Sequence, residues 1–222
     1  PHSSSFESGD NELGSSASDA TSKWVSANSG TVNGAASAHF NSDGILTFEE
    51  DSNGTPSSGT GPSSAQTGSQ YIYVESSGQA NENKVFKLAA VYDFTGKVNA
   101  ELSFYYHNYS SEYAADTTTN FGPASMVVWI YDQGADSWSS VWTYDKTTMN
   151  LNQWQNVTID LSAYDNKDNI HIWFSGATDY SNVYWSWGYQ SDFALDNIVV
   201  SADNNGVTNW YVDDNGSNSN NG

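Results

Sequence analysis

The chain of 222 residues contains no cysteine, so it can form neither a disulfide bond nor a thiolate metal site or nucleophile. Positive charge is also scarce, because six Lys and Arg stand against 26 Asp and Glu, which gives a net charge of -20. Such a charge repels nucleic-acid phosphates and anionic membrane surfaces, so we expect neither as a partner. No apolar run reaches the length of about 18 residues that a membrane-spanning helix needs.

Helical periodicity is nearly absent as well. Short alternating apolar runs recur instead, separated by clusters of Gly, Asn, Asp and Ser, and this pattern predicts an all-β sandwich or barrel. Long polar loops are expected at 51–69, 108–124 and 176–191, and the first, rich in Gly, Ser and Pro, is predicted to be a flexible surface excursion. The predicted strands are 45–50, 70–75, 84–90, 100–107, 125–132, 138–144, 154–161, 169–175 and 192–200.

Composition changes near the C-terminus. Residues 203–222 are a polar tract that encloses one short apolar patch at 210–212. We therefore expect one sandwich domain over 1–202, followed by a linker and the start of a truncated downstream domain over 203–222. The abundance of Asp, Asn, Ser, Gly and Thr, with little Lys, favours an exported, extracellular protein.

Successive side chains of a strand point to opposite faces, so each strand can be divided into a core set and an outward set. The more uniformly aliphatic sets, such as Met126, Val128 and Ile130, are predicted to form the core. The outward sets are rich in rings, and placed together on one sheet face they would form an aromatic platform. The predicted platform residues are Tyr105, His107, Trp129, Tyr131, His171 and Trp173.

The loop at 176–191 is also rich in rings, and four of them are predicted to lie beside this surface. Aromatic rings pack against the C–H faces of sugars, and His and acidic groups hydrogen-bond to sugar hydroxyls, so an open platform predicts carbohydrate binding. The alternative is that the loop folds over the platform and buries it as a second small core. The four loop residues predicted to bind a ligand are Tyr184, Trp185, Trp187 and Tyr189.

Several motifs in order together resemble a MAM domain, a β-sandwich module. They are "FESG" at 6–9, "TGSQYIYVESS" at 67–77, "KVFKLAA" at 84–90, "AELSFYYHNY" at 100–109, "LNQWQNVTIDL" at 151–161 and "SDFALDNI" at 191–198. The resemblance spans roughly residues 6–202 and implies a two-sheet antiparallel β-sandwich of the jelly-roll type. Animal MAM domains carry paired cysteines, and this chain departs from them in having none.

The resemblance also implies a structural calcium ion where the first strand meets the last. Glu7 and Asp196 stand at the matching positions, and Asp196 is in phase with Ala194 and Ile198, which predicts that its carboxylate points inward. A buried carboxylate needs compensation, which calcium or hydrogen bonds alone can supply. The lower-ranked metal candidates are Asp10, Asp43 and Asp192.

The tail "WYVDDNGSNSNNG" at 210–222 resembles the start of a parallel β-helix, as found in polysaccharide-degrading enzymes. No catalytic motif occurs in the chain, and with 26 acids no carboxylate pair is informative. We therefore expect a non-catalytic, monomeric carbohydrate-binding module of a secreted polysaccharide-active protein, with a neutral or mildly charged glycan as partner. The alternatives are a protein–protein adhesion module and a small glycoside hydrolase or lyase.

Overall fold

A computed structural model of the chain describes residues 2–7, 9, 12–14, 17–26, 31–32, 35–36, 45–76, 84–109, 125–145, 151–178 and 192–206. Two short 3-10 helices, Ala17–Thr21 and Ser162–Tyr164, accompany fifteen strands in this part of the chain. None of the helices described there is long and apolar enough to cross a membrane. The strands are β1 His2–Ser4, β2 Leu13–Gly14, β3 Trp24–Ser26, β4 Thr31–Val32, β5 Ala35–Ala36, β6 Ile45–Leu46, β7 Glu49–Asp51, β8 Tyr71–Val74, β9 Val85–Tyr92, β10 Lys97–Asn108, β11 Ser125–Asp132, β12 Ser137–Thr143, β13 Gln155–Asp160, β14 Ile170–Ala177 and β15 Phe193–Asn204.

The strands form two large sheets. Sheet A has the order β13-β10-β15-β8-β7, with β1 paired to β15, and sheet B has the order β12-β11-β14-β9-β3-β2, with β6 paired to β9. The pairs within these sheets are antiparallel except β2 with β3 and β6 with β9. Strands β4 and β5 form a separate two-stranded ladder. The predicted class, an all-β sandwich of two mainly antiparallel sheets, is confirmed.

One hydrophobic core fills the space between the sheets. Leu102 and Phe104 of β10 meet Val128 of β11 and Phe174 of β14 there, and all four side chains are fully buried. The Phe104 and Phe174 rings meet edge to face, with centroids 4.9 Å apart. The predicted inward sets of these strands are therefore confirmed, because the strict alternation of a pleated strand leaves each of them only one core face.

Two features differ from the sequence-based expectation. The segment predicted as one strand at 45–50 divides into β6 in sheet B and β7 in sheet A, with Phe48 buried in the core between them. An alternating pattern cannot reveal this, because the chain crosses between the sheets while its side chains keep facing the same core. The last strand also continues to Asn204, two residues beyond the predicted domain boundary.

Candidate functional site

The outward-facing rings of sheet B lie on three neighbouring strands. Trp129 is directly opposite Trp173, and Tyr131 is directly opposite His171, across the β11–β14 pair. Trp138 of β12 lies opposite Tyr131, and its ring centroid is 4.8 Å from that of Tyr131 and 5.7 Å from that of Trp173. We call these five residues, Trp129, Tyr131, Trp138, His171 and Trp173, the outer ring cluster.

Most of the outer ring cluster is not an open platform. The exposed fractions of His171, Trp173 and Tyr131 are 0%, 1% and 8%, whereas Trp129 and Trp138 are half-buried. Ala20 of the first 3-10 helix and Val25 of β3 pack into this cluster from one side. Of the two alternatives that the sequence left open, an open platform and a second small core, Tyr131, His171 and Trp173 match the second. Ala20 and Val25 are among the residues that pack against Tyr131 and Trp173 on sheet B.

Tyr105 and His107 do not belong to this cluster. They lie on β10, whose partners are β13 and β15, so they face outward from sheet A on the other side of the sandwich. The side chain of His107 is 2% exposed, and its ring meets Trp154 edge to face with centroids 5.6 Å apart. The predicted single platform is therefore wrong, because the alternation within a strand does not say to which sheet the strand belongs.

Hydrogen bonds fix polar groups around the outer ring cluster. The Tyr131 hydroxyl donates to Asp136 Oδ1 at 2.8 Å, and His171 Nε2 is 3.1 Å from Gln133 Oε1. Burial lowers the pKa of His171 to about 4, so its imidazole is neutral near pH 7. The half-buried Trp138 ring thus lies in a cluster with a fixed carboxylate and a fixed amide at its edge.

Trp138 was not among the residues expected to bind a ligand. In the predicted strand, Trp138 and Trp142 have the same parity and should share a face. A register shift between Val128 and Trp129 places an extra residue in β12, so Trp138 turns outward while Trp142 packs against the core ring of Phe104 at 5.5 Å. Bulges of this kind leave no clear sequence signal.

The outward face of sheet A is partly covered by residues 52–70, which we call the cover segment. The Tyr71 hydroxyl donates to the Asn53 carbonyl at 2.6 Å, and the Trp154 indole N–H donates to the Ser64 carbonyl at 3.0 Å. Tyr71, Tyr73 and Ala194 form a small buried cluster against this segment. The prediction of a flexible surface excursion is therefore wrong, since buried groups hold the cover segment in place.

Two carboxylates, Asp192 directly before β15 and Asp196 within it, also hold the cover segment. Asp192 is fully buried and accepts hydrogen bonds from the Thr60 hydroxyl at 2.8 Å and from the Ser76 N–H and hydroxyl at 3.0 Å each. Asp196, also fully buried, accepts hydrogen bonds from the Gln66 N–H at 2.8 Å and the Thr67 N–H at 3.2 Å. Burial raises the pKa of both carboxyl groups, that of Asp196 to about 6.

Asp196 was expected to point inward in phase with Ile198, and this is wrong. Between Ser103 and Tyr105 of β10, the paired residue on β15 moves from Val199 to Asp196, so β15 carries one extra residue. Asn197 takes the left-handed conformation there, with φ of 49°. This bulge reverses the phase of the strand, so Ile198 enters the core while Asp196 faces the cover segment.

Glu7 reaches the same part of the cover segment as Asp196. Its carboxylate accepts hydrogen bonds from the Ser69 N–H at 2.8 Å and the Ser69 hydroxyl at 2.5 Å, and these bonds lower its pKa. Gly68, with φ of +70°, lies so close that an added Cβ would fall 1.9 Å from Glu7 Oε1. Glu7 and Asp196 are therefore brought to one segment by β1, which pairs with β15 as the resemblance implied.

Whether a calcium ion fits between Glu7 and Asp196 depends on the oxygen ligands that are available there. Calcium takes six to eight oxygen ligands, whereas the oxygens of Glu7 and Asp196 already accept hydrogen bonds from the cover segment. Among the described residues there is no group of three or more His, Cys, Asp or Glu that could hold a metal. The described residues thus match the hydrogen-bonded alternative, and calcium stays a prediction.

Six of the predicted site residues lie outside the described part of the chain. They are the loop rings Tyr184, Trp185, Trp187 and Tyr189 and the metal candidates Asp10 and Asp43.

Comparisons with known proteins give distant structural similarity only. No protein-family model matches the chain, so the MAM resemblance is not confirmed, and no curated protein matches it. The K1 cleaved adhesin domain of Lys-gingipain from Porphyromonas gingivalis W83 is 15% identical, with a TM-score of 0.49 over 91% of this chain and 98% of that one. TmCBM61 in complex with beta-1,4-galactotriose is 16% identical, with a TM-score of 0.41 over 70% and 82%. The CBM22-1 xylan-binding domain from Paenibacillus barcinonensis Xyn10C is 13% identical, with a TM-score of 0.41 over 84% and 90%.

Proposed function

We propose that this chain is a non-catalytic carbohydrate-binding module that holds its ligand on the exposed part of the outer ring cluster. The observation that carries the proposal is that Trp129 and Trp138 are half-buried and lie on β11 and on the edge strand β12 of sheet B. Beside them on the same face, the buried rings of Tyr131 and Trp173 contact the Trp138 ring. Ring surface that is exposed and rigidly supported is what stacking on a sugar ring requires.

The polar groups at the edge of the cluster suit a hydroxylated ligand. Asp136 and Gln133 are held by Tyr131 and His171, so their remaining lone pairs and protons keep fixed directions. Sugar specificity commonly comes from a few such fixed groups beside apolar surface. The net charge of -20 disfavours an anionic polysaccharide, so we propose a neutral glycan.

Binding rather than catalysis is favoured by the roles of the buried ionisable groups. Asp192 and Asp196 hold the cover segment, and His107 and His171 are buried and neutral near pH 7. Groups in those roles are not free to exchange protons with a substrate. A glycan ligand also fits the extracellular location that we propose for the protein.

Alanine substitution of Trp138 and Trp129 tests the proposal. We expect each change to weaken retention on an immobilised neutral polysaccharide by about 1–3 kcal/mol. The loss of thermal stability should be small, because both rings pack against the small outer cluster and not against the main core. Affinity electrophoresis and thermal melting are measured on the same preparations.

Trp142→Ala is the matched control, since Trp142 lies on the same strand as Trp138 but faces the core. It should lower stability and leave retention unchanged below its melting temperature. Equal retention by all three variants and the parent protein would refute the proposed site. Self-association without any glycan retention would favour the adhesion alternative instead.

A further inference from the structure

A pocket lies on the opposite side of the sandwich, between the cover segment and the loop that precedes β13. Its volume is about 260 Å³, slightly below the range of about 300–1,000 Å³ that is usual for small-molecule sites. Apart from three glycines and one proline, the wall is made of polar side chains. They are Thr55, Ser57, Thr60, Ser63, Tyr109 and Asn152.

The chemistry of this wall differs sharply from that of the whole chain. Although the chain has 26 Asp and Glu, none of the described residues that line the pocket is acidic or basic. The lining offers hydroxyl, amide and phenol groups, which hydrogen-bond to neutral hydroxyls but cannot neutralise an ion. Such a wall suits a neutral polyhydroxy ligand better than a metal ion or a charged group.

The wall of the pocket is held rigidly from beneath. The Thr55 hydroxyl donates to the Thr60 carbonyl at 3.1 Å, and the buried carboxylate of Asp192 accepts the Thr60 hydroxyl at 2.8 Å. The Gly61 N–H donates to the Tyr109 carbonyl at 3.4 Å, which joins the cover segment to the end of β10. A segment held in this way loses little further freedom when a ligand binds.

Tyr109 supplies the one aromatic ring among the described lining residues, and it is half-buried. A ring at the wall of a hydroxyl-lined pocket gives the apolar contact that a sugar ring needs beside its hydrogen bonds. Asn152 supplies an exposed amide on the other side, and it also hydrogen-bonds to His107.

We propose that this pocket is a second saccharide-binding site, which accepts one unit or chain end of a neutral glycan. The proposal depends only on the residues that line the pocket. It does not depend on the outer ring cluster, which lies on the other sheet. Two sites on opposite faces would let one module bridge two glycan chains, and this raises its avidity for a polysaccharide over that for a short oligosaccharide.

The test follows the backbone amide resonances of Thr60 and Gly61 by NMR during titration with four probes. Three are neutral trisaccharides with glucose, xylose and galactose units, and the fourth is calcium chloride alone. We expect at least one neutral trisaccharide to shift these resonances, and we expect Tyr109→Ala to weaken that binding about tenfold. Tyr105→Ala is the matched control, because Tyr105 is a half-buried ring in β10, four residues before Tyr109, that does not line the pocket.

The same titrations on Trp138→Ala keep the two sites apart. Pocket shifts that persist in Trp138→Ala support the second site, even if the outer ring cluster itself proves inactive. Loss of the pocket shifts in Trp138→Ala would overturn the proposal, because the pocket would then not bind independently. A response to calcium alone, or no shift with any of the trisaccharides, would overturn it as well.

Discussion

Acidification tests the burial of His107 and His171, one on the outward face of each sheet. Burial lowers the pKa of each from its ordinary value of 6.5 to about 4, because an imidazolium would lose its hydration there. Between these pH values the unfolded chain binds more protons than the folded chain. The contribution of these two histidines to the free energy of unfolding therefore has its full value above pH 6.5. It decreases as the pH falls toward 4.

The size of the effect follows from the same pKa values. A lowering from 6.5 to about 4 corresponds to at most about 3.5 kcal/mol for each histidine, at roughly 1.4 kcal/mol per pKa unit. Asp196 acts in the opposite direction, because its pKa is raised to about 6, so its contribution falls as the pH rises. Asp192, whose pKa is also raised, acts in the same direction as Asp196. Variants are therefore needed to isolate the histidines.

Urea unfolding of the parent protein, His107→Gln and His171→Gln is followed by circular dichroism at pH values from about 7 to about 4.5. Glutamine stays uncharged over this range and retains hydrogen-bonding capacity. We expect each variant to lose about 2–3 kcal/mol less stability on acidification than the parent protein loses. Curves that fall in parallel for all three proteins would refute the reasoning, because the acid sensitivity would then come from other groups.

Three further predictions concern stability. Gly176→Ala should cost about 1–3 kcal/mol in thermal or urea unfolding, because its Cβ would lie 2.1 Å from the Ser125 carbonyl oxygen. Gly206→Ala should be neutral, because no atom of the described residues lies within 4 Å of the added Cβ, and equal effects of the two changes would contradict this. If calcium binds at Asp196, chelation should lower the melting temperature by several degrees and Asp196→Ala should lower it further, whereas a melting curve that is unchanged by chelator would refute the metal. Truncation after Gly206 should be tolerated, but truncation after Ala202 should lower the melting temperature, because it removes the end of β15. Equal melting temperatures of the two truncated proteins would show that this end is dispensable.

The sequence determined the class of fold and most of its strands. Strand β11 begins and ends where the alternating run at 125–132 predicts, and the core sets of β10, β11 and β14 follow from parity alone. These features are local, because an apolar residue at every second position is the pattern of a strand with one face buried in the core. The sequence also showed that the outward positions of these strands are rich in aromatic rings, because the same alternation separates outward from inward positions.

Tertiary structure decided how those faces are used. Tyr105 and Trp129 have the same outward parity but lie on opposite sheets, because sheet membership depends on pairing between distant strands. The direction of Asp196 was set by a bulge at Asn197, and that of Trp138 by a register shift within the β11–β12 pair. One extra residue reverses every side chain beyond it, and no local composition marks where that residue is inserted.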